Sequence, residues 1–454
     1  MTAIIWFNQD LRISDNPALT EACKHQQILP IYILSPQQQL GEAKKIWLHH
    51  SLRSFNKKFA NKLNFYIGDP QQIISKLAKK YQISQLCYNQ VIEPSAVQIQ
   101  LPQKIFCSQD ASLLWKPLQI VNKKQEYYKV FTHFYKLGCL AGDIPRSTLP
   151  PPQLPSILKD DDSLELEQLN LLPQHSWHLQ LMQNWQVGEE SAWQKLITFS
   201  KNGLAEYKTN RNIPSLSSYT SQLSPHLNFG EISPHQIWHF VKQNNDNDEN
   251  LQCFLSELGW REFSYYLLYH FPQLQKQNFQ TKFNNFPWQN NLELLQKWQQ
   301  GKTGIPIVDA GMRQLWQTGY MHNRLRMIVG SFLVKNLLID WRLGEQWFFN
   351  CLLDANIASN SASWQWVAGS GADAAPYFRI FNPILQSEKF DNDGNFIRKF
   401  VPELSRLKNV FAPWQQDRLT LKMAGIELGK NYPQPIVDLE SSRKQALEIF
   451  SRLS

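Results

Sequence analysis

Four short apolar runs, AIIWF (3–7), ILPIYIL (28–34), LNFYIG (63–68) and ISQLCYN (83–89), are separated by helix-like segments in the first part of the chain. Strands alternating with helices predict a parallel sheet covered on both faces, because each crossover helix returns the chain to the same end of the sheet. DNPALTEAC offers a helix start that Asp15 can cap. Helical stretches near 42–62 and at QQIISKLAKKY fill the next gaps. The pattern predicts an α/β layer, and a layer without a function of its own fits it as well as a ligand site does.

Proline and acidic clusters then break the pattern, at LPPPQLP (149–155) and KDDDSLELE (159–167). Such a stretch lacks the apolar residues for a core and reads as a linker over the surface. From about residue 190, 3.6-residue spacing dominates in AWQKLITFSKNGLAEY, SPHQIWHFVKQN, NLQCFLSELGWREFSYYLLYHF and most of 306–350. The expected organisation is a Rossmann-like α/β domain at 1–128, a linker at 129–190 and an all-helical domain at 191–454. No internal repeat is visible.

Composition narrows the function classes. The 46 Lys+Arg exceed the 38 Asp+Glu by +8, which suits a polyanionic partner, although many basic enzymes bind no nucleic acid. The six cysteines form no CxxC pair, so zinc-finger and thioredoxin readings fail, and neither a metal site nor a disulfide framework is expected. The start, MTAIIWFNQDLRISDN, reaches charge too soon for a signal-peptide core, and Lys335 interrupts the apolar run MIVGSFLVKNLLIDW. A soluble, intracellular, cytoplasmic protein is expected, and nothing demands more than a monomer. Aromatic residues reach 13%, with 16 Trp, a side chain that packs cores, stacks on bases and relays electrons.

The informative positions follow. In LSELGWREF, Glu257 and Trp260 sit at i and i+3 and share a helix face. In MHNRLRM, Asn323 and Met327 share a face while Arg324 points elsewhere. That line mixes amide, cation and thioether too closely for an ordinary core stripe. Trp364 and Trp366 lie two residues apart, so on a helix they diverge by about 200° and serve different surfaces. GSGADAAP lacks the third glycine and the leading strand of a dinucleotide fingerprint. Its glycines suit close packing or a helix start, with Asp373 near the N-terminus. TSQLSP (220–225) offers hydroxyls and backbone N–H groups for a phosphate, or an ordinary capped turn.

Over essentially its whole length the sequence resembles the DNA photolyase/cryptochrome family, most of all the class I cyclobutane pyrimidine dimer (CPD) photolyases. The resemblance rests on IIWFNQDLRISDNPAL, TSQLSPHLNFG, LGWREF, TGIPIVDAGMRQLWQTGYMHNRLRMIVGSFLVKNLL, WQWVAGSGADAAPYFRIFNP and QSEKFD. Asn8 and Gln9 stand where family members usually carry two basic residues.

The resemblance implies an N-terminal α/β domain and a helical domain holding FAD. Tyr207, Thr220, Ser221, Leu223 and Ser224 would hold its phosphates and ribityl chain. Gln222 replaces a basic residue common in that motif, which shifts the phosphates toward backbone N–H groups, hydroxyls and Arg261. Asn360 would sit near flavin N5, with Arg326 and Asp354 as an ion pair beside the ring. Asn356 stands where relatives often carry a second aspartate; its amide can accept the same bond without negative charge, which favours flavin reduction. An antenna chromophore, a folate or a deazaflavin, is the second implied cofactor, although the segment after Glu93 is short for the family.

Glu257, Trp260, Asn323, Arg324, Met327 and Trp366 match the lesion pocket of CPD photolyases, with Arg211, Arg324 and Arg379 at positions that grip DNA phosphates. Trp364, Trp341 and Trp288 match the relay that carries electrons from the surface to the flavin. The implied activity is light-driven repair of UV-damaged DNA, the reaction of a deoxyribodipyrimidine photo-lyase. A (6-4) photolyase is disfavoured because its pocket histidines are absent and Met327 occupies one such place. A cryptochrome-type photoreceptor signalling through a protein partner is the alternative from another class. Signalling members often extend beyond the shared core, whereas this chain stops soon after IVDLESSRKQALEIFSRLS.

Overall fold

The computed structural model describes every residue except Ser95, Phe378 and Ser454. Two compact units emerge, each discontinuous in sequence. One comprises Met1–Tyr207, Ser221–Pro272 and Leu353–Asn356; the other comprises Lys208–Thr220, Gln273–Leu352 and Ile357–Ser454.

The first unit contains the expected parallel sheet. Strands β1 (Thr2–Phe7), β2 (Gln27–Leu34), β3 (Asn64–Ile67), β4 (Gln85–Asn89) and β5 (Lys104–Ser108) lie in the order β3-β2-β1-β4-β5. β1 and β2 are buried almost throughout, as continuous apolar runs covered on both faces must be. The fifth strand was not foreseen, because KIFCS carries exposed residues and lacks a long apolar run. Among the described residues no helix separates β4 from β5, in keeping with the short segment after Glu93.

Pro30 lies within β2 opposite Ile5, although proline removes a ladder donor. On the other side of β2, β3 pairs only from Ile31 onward, and β6 (Ser156–Ile157) pairs only Gln27 and Ile28. Pro30 falls in the gap between these two partners. Asn64 spans the gap, its Nδ2 donating to the carbonyls of Pro30 (3.0 Å) and Leu158 (3.1 Å). The proline-rich segment is therefore more than a surface linker. It adds a strand, and buried Asp160 accepts from Tyr66, Tyr81 and Lys80 at 2.6 Å each.

Asp15 does not cap the first helix, Pro17–Ala22; Asn16 does, accepting from the Leu19 N–H at 3.1 Å. Asp15 instead adopts φ 51° and takes a hydrogen bond from Arg146 (2.5 Å) and one from the Ser233 hydroxyl (2.5 Å). The GSG glycines follow a helix rather than open one. Ile357–Ala368 ends immediately before Gly369, whose φ of 86° suits a helix stop. All six cysteines are free. Among the described residues no helix is long and apolar enough to cross a membrane.

His235, at the start of the helix Pro234–Asn244, is fully buried, and neither ring nitrogen has a partner among the described residues. Burial, reinforced by the Arg146 charge, pushes its pKa down to about 3. Below pH 6.5 the unfolded chain accepts a proton that the folded chain refuses, so this residue withdraws stability as pH falls. At pH 5 the penalty is about 2 kcal/mol. Urea denaturation at pH 7.5 and pH 5 should show His235→Leu gaining about that much relative to the parent at the lower pH; an unchanged difference between the two proteins contradicts the assignment.

Candidate functional site

In the first unit, the helix Glu249–His270 is started by Asp248, which accepts from the Leu251 N–H at 2.8 Å. Gly259 admits the ring of Tyr135, since a Cβ there would lie 2.6 Å from it. The next residue, Trp260, stacks on Phe131 with centroids 3.8 Å apart and planes 11° apart, and Phe131 stacks in turn on Tyr135. Phe131 thus covers one face of the indole, while Trp260 remains half-buried. Glu257, one turn earlier, is also half-buried, so the helix presents a carboxylate and an indole together.

Arg261 lies 4.8 Å over the Tyr265 ring and pairs with Glu262 at 2.8 Å. Burial pushes the Glu262 carboxyl up to about 7, against the pull of Arg261 and the Leu114 N–H. Arg261 and Tyr265 line a small cavity with Gln9, Gln90 and Leu227. Close by in sequence to the helix Ser224–Asn228, Gln222 adopts φ 51°, and the Leu223 N–H donates to the Ser221 hydroxyl at 3.4 Å. Lys195 reaches Gln222 Oε1 at 3.4 Å. Tyr207 is buried edge-on against Phe199 and Phe254. Asn228 donates to the Leu353 carbonyl at 3.4 Å, and its own Oδ1 is buried without a partner. Asp354 and Asn356 are buried just beyond Leu353.

A larger cavity of about 390 Å³ opens at the carboxyl ends of the strands, lined by Trp6, Asn8, Gln9, Tyr88, Glu93 and Gln109 among others. The strand order reverses between β1 and β4, and their carboxyl ends form part of its lining, the place where open α/β sheets bind ligands. Gln9 Nε2 donates to Glu93 at 2.8 Å.

In the second unit, the helix Asn323–Ser331 is capped by His322, whose Nδ1 accepts from the Arg324 N–H at 3.2 Å. Burial pushes His322 down to about 4 and keeps it neutral. Asn323 is exposed and Met327 half-buried. Arg324 donates to Asn212 at 2.9 Å and lies 4.2 Å over the Phe390 ring. Its pKa is lowered by burial and by the neighbouring charge of Arg211. Arg326 donates to the Met321 carbonyl at 2.7 Å. Arg379 is exposed, and its carbonyl accepts from buried Lys335 at 3.0 Å. Thr220 donates to the Ser217 carbonyl at 3.0 Å.

The helix Ile357–Ala368 carries both adjacent indoles, and they diverge as the spacing predicts. Trp364 is buried against Phe348 (4.9 Å) and Trp298 (6.2 Å), whereas Trp366 is half-buried. Asn360 is held by its Nδ2, which donates to the Glu345 carbonyl at 2.9 Å. Trp341 is fully buried, its Nε1 donating to Asn278 at 2.9 Å. Trp288 is half-buried against Phe286, so the three expected relay indoles run from half-buried to fully enclosed.

Residues 3–155 match a family model described as DNA photolyase, and residues 254–452 match one described as the FAD binding domain of DNA photolyase. A deoxyribodipyrimidine photo-lyase of Agrobacterium fabrum is 43% identical, the match covering 99% of this chain and 97% of that protein. The chain belongs to the DNA photolyase family. A crystal structure described as a bacterial class III photolyase, from Agrobacterium tumefaciens, is 40% identical with a TM-score of 0.93 and covers 100% of this chain and 97% of its own. The likeness thus points to class III rather than clearly to class I. A Synechocystis cryptochrome structure follows at 28% identity and a TM-score of 0.89, covering 99% of each chain.

FAD is the cofactor of this photolyase fold, and the residues present fit it. Among the described residues the buried Oδ1 of Asn228 has no partner, a polar group that a hydrogen-bonding ligand can satisfy. Three contributors escaped the sequence reading. Phe131 backs Trp260, Asn212 holds Arg324, and Lys195 meets Gln222. Each lies far in sequence from its partner and carries no local motif; Lys195 stood in a segment noted only for its helical spacing, and Phe390 within QSEKFD.

Trp364 owes its seat to Gly344 and not to Gly330. A Cβ on Gly344 would lie 2.3 Å from its Cη2, whereas one on Gly330 would lie 3.6 Å from its Cζ3. Gly344→Ala should therefore cost about 1–3 kcal/mol by overpacking, while Gly330→Ala should be nearly neutral. Thermal melting of the two variants checks this, and equal melting temperatures contradict the packing account.

Proposed function

We propose that this photolyase repairs cyclobutane pyrimidine dimers in DNA under light. When bound and fully reduced, FAD would supply the light-driven electron-transfer chemistry for opening the cyclobutane ring. The chain's own residues bind the lesion, hold its bases and keep the flavin reducible.

Base-flipping enzymes, photolyases among them, extrude the damaged nucleotides, at a cost of a few kcal/mol that a lesion lowers. The half-buried Trp260 and Trp366 would offer flat apolar surfaces for the fused pyrimidines, and Met327 a polarizable thioether. Glu257 and Asn323 supply hydrogen-bonding groups for the base edges. Arg211, Arg324 and Arg379 take the DNA phosphates. The mutual repulsion that helps lower Arg324 is relieved when an anion lies beside the pair.

Tyr207, Thr220, Ser221, Gln222, Leu223 and Ser224 would hold the phosphate and ribityl end of FAD, with Arg261 as a further cofactor residue. Asn323, Arg326, Asp354, Asn356 and Asn360 would surround its ring. Trp364, Trp341 and Trp288 would relay electrons that restore the reduced flavin. The cavity at the strand ends would take an antenna chromophore, a folate or a deazaflavin, for which about 390 Å³ is an adequate volume.

One observation favours cyclobutane dimers over (6-4) photoproducts. Repair of the latter needs a proton donor in the pocket, yet Asn323 and Met327, which share one face of the helix Asn323–Ser331, carry an amide and a thioether. The adjoining His322 is enclosed and held neutral, so it cannot serve instead.

Illumination of the reduced, FAD-loaded protein with a dimer-containing oligonucleotide should restore the thymine absorbance. Recovery with (6-4) lesions alone, or with neither lesion, overturns the proposal. The second result favours a cryptochrome-type photoreceptor.

A further inference from the structure

The Thr220–Ser224 segment is a phosphate-binding stretch with an amide where its motif usually places a cation. Gln222 cannot neutralise a diphosphate, and its φ of 51° fixes it in a tight turn. Two further elements place a cation at that point. Lys195, in the helix Glu189–Asn202, directs its Nζ to Gln222 Oε1 at 3.4 Å. The same ammonium lies 5.0 Å from the centre of the Trp185 ring, and Trp185 is itself buried edge-on against Trp47. Lys195 is half-buried.

We propose that Lys195 is a phosphate-binding residue for the FAD diphosphate, the positive charge having moved from the segment itself to the neighbouring helix. The proposal rests on the FAD-binding reading of the fold. Gln222 would then steer rather than neutralise, its carbonyl holding the ammonium in place while the indole of Trp185 limits its side-chain freedom. Burial lowers the Lys195 pKa. Among the described residues the half-buried ammonium meets the Gln222 amide and the Trp185 ring, and a diphosphate would give it an anionic partner.

The release of FAD from the holoprotein, followed by the rise in flavin fluorescence on dilution, tests this. Lys195→Met should release FAD about tenfold faster, the factor expected for loss of one charge-assisted contact. Gln222→Arg in that background should restore slow release, and Lys195→Arg alone should remain close to the parent. Added salt should speed release from the parent and leave Lys195→Met nearly unchanged. Parent-like release from Lys195→Met overturns the proposal. So does fast release that neither Gln222→Arg nor Lys195→Arg corrects, which would mark Lys195 as packing for Trp185. A parent protein purified without any flavin would instead overturn the FAD reading and this one with it.

Discussion

The seating of Trp364 fixes the rotation of the helix Ile357–Ala368, and the arrangement of the second unit depends on it. The indole fills the space left open by Gly344 and packs on Phe348 and Trp298. A helix turned about its axis by one residue's step of about 100° would drive this ring out of its slot. Asn360, one turn before Trp364, therefore shares its side of the helix, and Trp366 points away from it. The proposed division of labour between Asn360 near the flavin and Trp366 at the lesion would follow from this steric fit.

Electrostatics supplies the second theme. The chain sets cations next to one another or next to neutral groups, as with Arg324 beside Arg211 and Lys195 beside an amide. Such groups cost stability in the isolated protein, and anionic ligands recover that cost. The net +8 charge is the coarse expression of the same design.

Much of this was legible in the sequence because it is local. Apolar runs report buried parallel strands, and two tryptophans at i and i+2 must diverge on a helix. Features set by chain reversal or distant packing were not legible. Asp15 resembles a helix cap, yet Asn16 takes that place because Arg146 and Ser233 claim the Asp15 carboxylate from far along the chain. The GSG glycines, expected to serve close packing or a helix start, follow the end of a helix, since a glycine at positive φ serves as a stop and local sequence does not say which side the helix is on. β6 arises within a proline-rich stretch because Asn64 and the gap beside Pro30 receive it. Phe131 could not be foreseen behind Trp260, since nothing in its own neighbourhood marks it as a stacking partner.

The central claim is that one helix offers Asn360 to the flavin and Trp366 to the damaged bases. A crystal structure of the FAD-loaded protein, bound in the dark to an oligonucleotide carrying a cyclobutane dimer, tests it most directly. The account predicts the Asn360 amide within hydrogen-bond distance of flavin N5 and the Trp366 ring in van der Waals contact with the extruded pyrimidines. A dimer bound away from Trp366, or a flavin out of reach of Asn360, would contradict it.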